Sequence, residues 1–250
     1  MVVDVRGAIS ALAAISTAGQ KQVNFAARVA LTKTAQKAAA AEVKEMRDVF
    51  RNPTPYTLSS VYVKPATAAH LEATVMLKDE ATKAVPAAKF LRAQIDGGQR
   101  VQKRFERALQ AVGAMPTGYR AVPASGARMD AYGNMSSGQI VQILAFFSAF
   151  PEMGYKANMT DKGRARLARG SKRQQGMSYF IGHPGDRLPL GVYQRTSFAR
   201  GTAIRPVLLF VRSAVYQERF DFKYVAEQTA ANEFPTEFAK AFIEAERTAR

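Results

Sequence analysis

Residues 20 to 50 read as one long helix rich in alanine, and this run constrains the fold more than any other segment. Phe25, Val29, Val43, Met46 and Phe50 recur in it at helical spacing. Across Ala38-Ala39-Ala40-Ala41 the side chains are small on every face. Such a helix admits close approach from several sides, by the chain's own sheet or by a neighbouring subunit. Asn52-Pro53-Thr54-Pro55 stops it, because proline disfavours helix at the residue before it and donates no hydrogen bond. Residues 5 to 18 read as a shorter helix ahead of it.

Two strands are expected next. Leu58 to Lys64 is rich in β-branched and aromatic residues. Leu71, Ala73, Val75 and Leu77 alternate with polar neighbours at the period of a half-buried strand. Pro65 to Ala69 joins the two as a wide hairpin loop. Further on, Pro86 to Ile95 predicts a helix that Gly97-Gly98 interrupts. Val101, Phe105, Leu109 and Val112 predict another, with Arg100, Lys103, Arg104 and Arg107 on its outer face. Residues 113 to 135 read as loop. Ser136 and Gln139 have the spacing of a capping box for a helix from Gly138 to Ala149, ended by Pro151.

The last third returns to regular patterning. Met177 to Ile181 and Gly191 to Thr196 read as strands. Pro206 to Val211 is a continuous apolar run, the mark of a central strand covered on both faces. Asp221 is placed to cap a helix through Val225 and Thr229. Phe234, Phe238, Phe242 and Ala245 mark one stripe of a C-terminal helix. The order predicts an α+β fold, long N-terminal and C-terminal helices packed on a mostly antiparallel sheet. Residues 1–80 and 177–250 would form the core domain, and 81–176 a largely helical insertion ending in a basic loop.

Charge bounds the partners. The 250 residues carry 36 Lys+Arg against 20 Asp+Glu, a net of +16. That balance points to a polyanionic neighbour, whether nucleic acid, anionic membrane or acidic protein, or else to a basic solvated surface. Its densest stretch is residues 154 to 176, with Lys156, Lys162, Arg164, Arg166, Arg169, Lys172 and Arg173 opposed only by Asp161. Low apolar content and scattered glycines predict a mobile loop there. These seven side chains are the candidate contacts to DNA or to an acidic partner. No aromatic residue interleaves with them, so base stacking is not suggested.

Other chemistry is sparse. There is no cysteine, which excludes disulfides, thiol catalysis and zinc–thiolate sites. No phosphate-cradling GxxxxGK[ST] loop and no GxSxG elbow occur. His70 and His183 stand apart. His183-Pro184-Gly185-Asp186 reads as a turn in preference to an acid–base pair, because no nucleophile or second base accompanies it. No catalytic, cofactor-binding or metal-binding residue is therefore expected, and no cofactor. The residues after Met1 lack the basic-then-apolar order of a secretory signal. The longest apolar segment, Ile140 to Phe150, falls short of the about 20 residues a membrane span needs.

Several strings carry a family resemblance. They are Ala30-Leu31-Thr32-Lys33-Thr34-Ala35, Arg51-Asn52-Pro53-Thr54-Pro55-Tyr56-Thr57, Tyr179-Phe180-Ile181-Gly182, Leu188 to Arg195, Ile204 to Val211, Tyr216 to Asp221, and Phe234-Pro235-Thr236-Glu237-Phe238. Together they resemble the tailed-bacteriophage minor tail protein Z type, and more loosely the neck and tail-completion structural proteins. The resemblance covers about residues 20 to 80 and 177 to 250. It implies a non-enzymatic virion protein of the tail or head-to-tail junction, made in the host cytoplasm and assembled as a homo-oligomeric ring. Its partners would be other tail or neck proteins and genomic DNA in the channel, with no membrane. A non-catalytic DNA-binding protein using residues 156–173 is the alternative.

Overall fold

The computed structural model describes residues 17–82, 85–150, 157–172 and 174–248. The fold is α+β, with antiparallel sheets and long first and last helices. The chain divides into two compact units, one made of residues 1–98 and 216–250, the other of 99–215. The inserted unit therefore begins after Gly98 and ends at Val215, not at residues 81 and 176. The strands after residue 177 belong with the insert because they pair with a strand near residue 120, a register no local pattern announces.

In the first unit, helix α1 (Thr17–Val49) runs antiparallel to the last helix of the chain. Its buried stripe is Val23, Ala26, Ala30, Thr34, Ala38, Glu42 and Met46, recurring every three to four residues, with Ala27, Leu31 and Ala35 buried beside it. Phe25, expected on that stripe, is 44% exposed. The helix ends where the prolines require. Asn52 takes the left-handed φ of 51° and Thr54 caps a single turn, α2 (Pro55–Leu58), by accepting from the Thr57 N–H at 3.1 Å. That turn absorbs Leu58, so strand β1 spans only Val61–Lys64. It pairs with β2 (Thr74–Leu77), Val61 facing Leu77. The antiparallel hairpin and its wide loop are as expected, with later strand starts. It lies on α1, where Thr32 Oγ1 accepts from the Ala66 N–H at 3.2 Å. Helix α3 (Ala87–Ile95) completes this part, and Leu91 enters the core beside Val75 and Phe220.

The second unit is built on a four-stranded antiparallel sheet. The short strands β3 (Gly98–Gln99) and β10 (Val215–Tyr216) straddle its two ends in the chain, and between them come α4 (Arg104–Ala111), β4 (Arg120–Pro123), α5 (Ser137–Phe146), α6 (Asp161–Arg169), β5 (Gly170–Ser171), β6 (Gln174–Gln175), β7 (Met177–Gly182), β8 (Gly191–Phe198) and β9 (Gly201–Val211). The sheet order is β4-β9-β8-β7, and β3 pairs with β10. β9 is central, and the consecutive Val207 and Leu208 are 0% and 1% exposed, so both faces are covered as its apolar run predicts. Tyr179, Val192, Val207 and Phe210 meet Leu109, Ile143 and Leu144 in the core.

Four expectations need correction here. The stretch 113–135 contains β4, whose partner lies about 90 residues away. Ser136 makes no side-chain cap. Gln139 is buried instead, accepting from the Arg128 N–H at 2.6 Å and donating to the Gly126 carbonyl at 3.2 Å. Helix α4 is shorter than its expected stripe: Val101 and Val112 lie outside it and are exposed, and Arg100, ahead of it, turns inward to the buried Glu106. The basic stretch is an ordered helix and a hairpin over its described residues, as set out below. Arg100 and Glu106 form a tie between the start of α4 and β4. The carboxylate accepts from Arg100 Nη1 at 3.0 Å and from its Nη2, and from the Lys103 and Ala121 N–H groups, each at 2.7 Å.

The chain returns to the first unit with α7 (Phe222–Thr248), which Asp221 caps by accepting from the Tyr224 N–H at 3.0 Å. Pro235 lies inside this helix instead of ending one: the flanking turns continue through it, and Phe234 beside it is buried. Ala226, Ala230, Ala241 and Ala245 face α1, small residues meeting small residues. The short helix expected at 5–18 lies, up to residue 16, outside the described residues.

Candidate nucleic-acid interface

The basic stretch folds because its start, its inner face and its end each have a local cause. Thr160 is extended and its Oγ1 accepts from the Gly163 N–H at 3.1 Å, capping α6. Asp161 occupies the first turn and Arg166 and Arg169 the last, each matched to the helix dipole. Gly170 ends the helix at φ 76°. A Cβ on Gly176 would lie 2.0 Å from the Ala168 carbonyl oxygen, so glycine there lets the helix end lie against the strand that follows. Little apolar area is involved; caps and one arginine anchor the element.

That arginine is Arg164. Its Nη1 donates to the Phe146 carbonyl at 2.9 Å and to Ser148 Oγ at 3.3 Å, and its Nη2 to Asp161 at 2.7 Å. It pins α6 to the end of α5 and is not a free surface cation. Lys162, Arg166 and Arg169 instead fall at i, i+4 and i+7 and are all exposed. Lys172 is exposed in the β5–β6 turn. Among the described residues none of these four has a side-chain partner. Lys156 and Arg173, the remaining two of the seven, lie outside the described residues.

The fold adds residues that composition did not single out. β8 and β9 continue beyond the last residue of β4 as a hairpin closed by Ala199-Arg200, with Phe198 facing Gly201. Residues 197–202 are exposed throughout. Arg200 is at the tip and Arg205 is exposed on β9. Arg195 lies 5.0 Å over the Phe180 ring, a cation–π contact that holds its chain across the sheet. The Ser197 N–H donates to the Gly176 carbonyl at 2.9 Å, which ties this hairpin to the segment following α6. The signal in the sequence was Gly201, a break between two β-rich runs.

The charges sort by unit. Residues 99–215 hold 18 Lys+Arg and 5 Asp+Glu, a net of +13, whereas the remainder holds 18 and 15, a net of +3. Three of those five acids are engaged. Glu106 is buried under Arg100, Asp161 pairs with Arg164, and Asp130 accepts from the Tyr132 and Asn134 N–H groups at 2.9 and 2.8 Å. Burial pushes the Glu106 carboxyl up, but Arg100 and the two backbone N–H groups outweigh that and hold it below the ordinary range.

The histidines lie in different units. His70 is exposed in the β1–β2 loop, before β2 and not in it. His183 precedes a 3₁₀ turn, Pro184–Asp186, and is exposed without a capping bond. Among the described residues no three His, Asp or Glu side chains cluster as metal ligands, and no helix is long and apolar enough to cross a membrane. No protein-family model, curated protein or solved structure matches the chain.

Proposed function

We propose that this chain is a non-catalytic structural protein of a tailed-phage particle, assembled as a homo-oligomeric ring at the tail or head-to-tail junction, with its 99–215 unit turned toward DNA. The observation that carries the reading is the segregation of charge, +13 on one compact unit and +3 on the other. A protein that must join its neighbours while lying beside a polyanion needs that division: a nearly balanced part for protein contacts and a strongly basic part for the nucleic acid. The resemblance of residues 20–80 and 177–250 to minor tail and tail-completion proteins supports the particle context.

The test is the composition of tailed particles purified from cells whose genome encodes the chain. The protein is expected in them at a fixed copy number, and at one ring position by cryo-electron microscopy. Particles that assemble fully without it overturn the reading. The same charge segregation supports a second reading, a free DNA-binding protein. That protein would stay monomeric at all concentrations and be absent from particles while still binding duplex.

A further inference from the structure

We propose that α6, the β5–β6 turn and the free end of the β8–β9 hairpin form one surface that binds the phosphate backbone of double-stranded DNA without reading its sequence. The proposal rests on the reading above and names the partner of the basic unit. Its residues are Lys162, Arg166, Arg169 and Lys172 on one side, and Arg200 and Arg205 on the other.

Three observations join them. The helix stripe is exposed and its cations carry no partner among the described residues, so binding displaces no internal ion pair. The Gly176–Ser197 hydrogen bond and the pairing of Met177 with Thr196 make the segment after α6 and the hairpin neighbours along one sheet edge. From Asp161 to Arg212 the sequence has eleven Lys+Arg and two acids, Asp186 and Asp161, the latter paired with Arg164 at 2.7 Å. An acidic residue inside such a field would repel phosphate; nearly none is present.

The partner follows from what the surface lacks. Single-stranded nucleic acid is held by bases stacked on aromatic rings. No aromatic side chain occurs from Ala157 to Gln175, and Phe198 is the one ring on the hairpin end. Base reading by direct contact needs side chains placed in a groove by a docked element. Arg and Lys ends on a short helix and a hairpin tip suit phosphate oxygens instead, whose spacing is the same in every duplex.

The test uses the full chain and two unrelated 30-base-pair duplexes, followed by fluorescence anisotropy between 50 and 200 mM KCl. Both duplexes are expected to bind within about twofold of each other, with steep salt dependence, since each neutralised phosphate contributes about 0.9 to the log–log slope. The triple variant Lys162→Ala, Arg166→Ala, Arg169→Ala is expected to reduce the slope by about 3 on both duplexes. Arg200→Glu, at an exposed two-residue turn where the side chain makes no hydrogen bond or ion pair among the described residues, guards against loss of fold and is expected to weaken binding more than tenfold with unchanged circular dichroism. Arg104→Ala with Arg107→Ala, exposed cations of α4, are expected to leave the slope unchanged. No binding at 50 mM KCl, tighter binding to single strands or to polyglutamate, or an equal slope loss from the α4 variant overturns the surface. Particle incorporation of the parent chain is scored in parallel: a chain that enters particles but binds duplex no differently after these substitutions overturns this surface alone, and one that binds duplex through it but is absent from particles overturns the phage reading alone.

Discussion

Two buried glutamates show how far a single residue's surroundings decide its behaviour. Glu42 on α1 and Glu106 on α4 are both 0% exposed. Glu106 accepts four hydrogen bonds and is held ionised; neither Glu42 oxygen accepts a hydrogen bond of ordinary geometry, and the nearby Ala226 backbone offsets its burial only slightly. Burial pushes the Glu42 carboxyl up to about 8, helped by the negative charges of Glu45 and Asp221. The folded protein therefore keeps a proton that the unfolded chain, with an ordinary value of 4.5, releases. Stability from this group is complete below about pH 4.5, declines as pH rises, and is gone above about pH 8. Glu106 works in the opposite direction, its contribution present above the ordinary carboxylate range and lost as acid protonates it. Glu42→Gln keeps the shape of the protonated acid without a charge to bury. It should leave the urea midpoint at pH 4.5 nearly unchanged and raise it at pH 8. If the variant loses stability between those pH values as steeply as the parent, the assignment to Glu42 fails.

Elements were legible in the sequence where their cause was local. The 20–50 run, its proline stop, the Asp221 cap and the apolar run of β9 each depend on neighbours within a turn or a strand. β4 did not show itself because Arg120–Pro123 becomes a strand only by pairing with Leu208–Val211. α6 is not announced as a helix because its apolar content is too low to signal burial. Its causes were present as Thr160, Asp161 and Gly170, a start and a stop without the expected stripe between them. Four of the six cations of the candidate site, Lys162, Arg166, Arg169 and Lys172, were legible as charge. Which cations are free was not, since Arg164 and Arg100 are withdrawn by partners distant in sequence or buried. The close packing of α6 onto the strand following it gives this a test. Gly176→Ala would set a Cβ against the Ala168 carbonyl, so the helix end must move. The substitution removes no charge, yet it should weaken duplex binding severalfold, while amide exchange rises in residues 161–171 before it rises in β9. Unchanged exchange there would mean that α6 does not depend on this contact.

At the scale of the whole molecule, the two units carry different electrostatic loads and separate cores. The 99–215 unit holds +13 and repels itself, whereas the other unit is close to balance. Added salt or a bound polyanion should therefore stabilise the first far more than the second. Glu42 and Glu106 supply a marker in each. Glu106→Gln leaves Arg100 beside a neutral amide and should cost about 3–5 kcal/mol, the usual penalty for breaking a buried ion pair. Scanning calorimetry of the full chain at pH 7.5 and low salt should then resolve two transitions. Glu106→Gln should lower only the one that a short duplex or added KCl raises. Glu42→Gln should raise only the other, and in the double variant both shifts should appear at their single-variant sizes. A single transition moved by both substitutions would mean that the two cores unfold together, and that the division of charge is not matched by a division of stability.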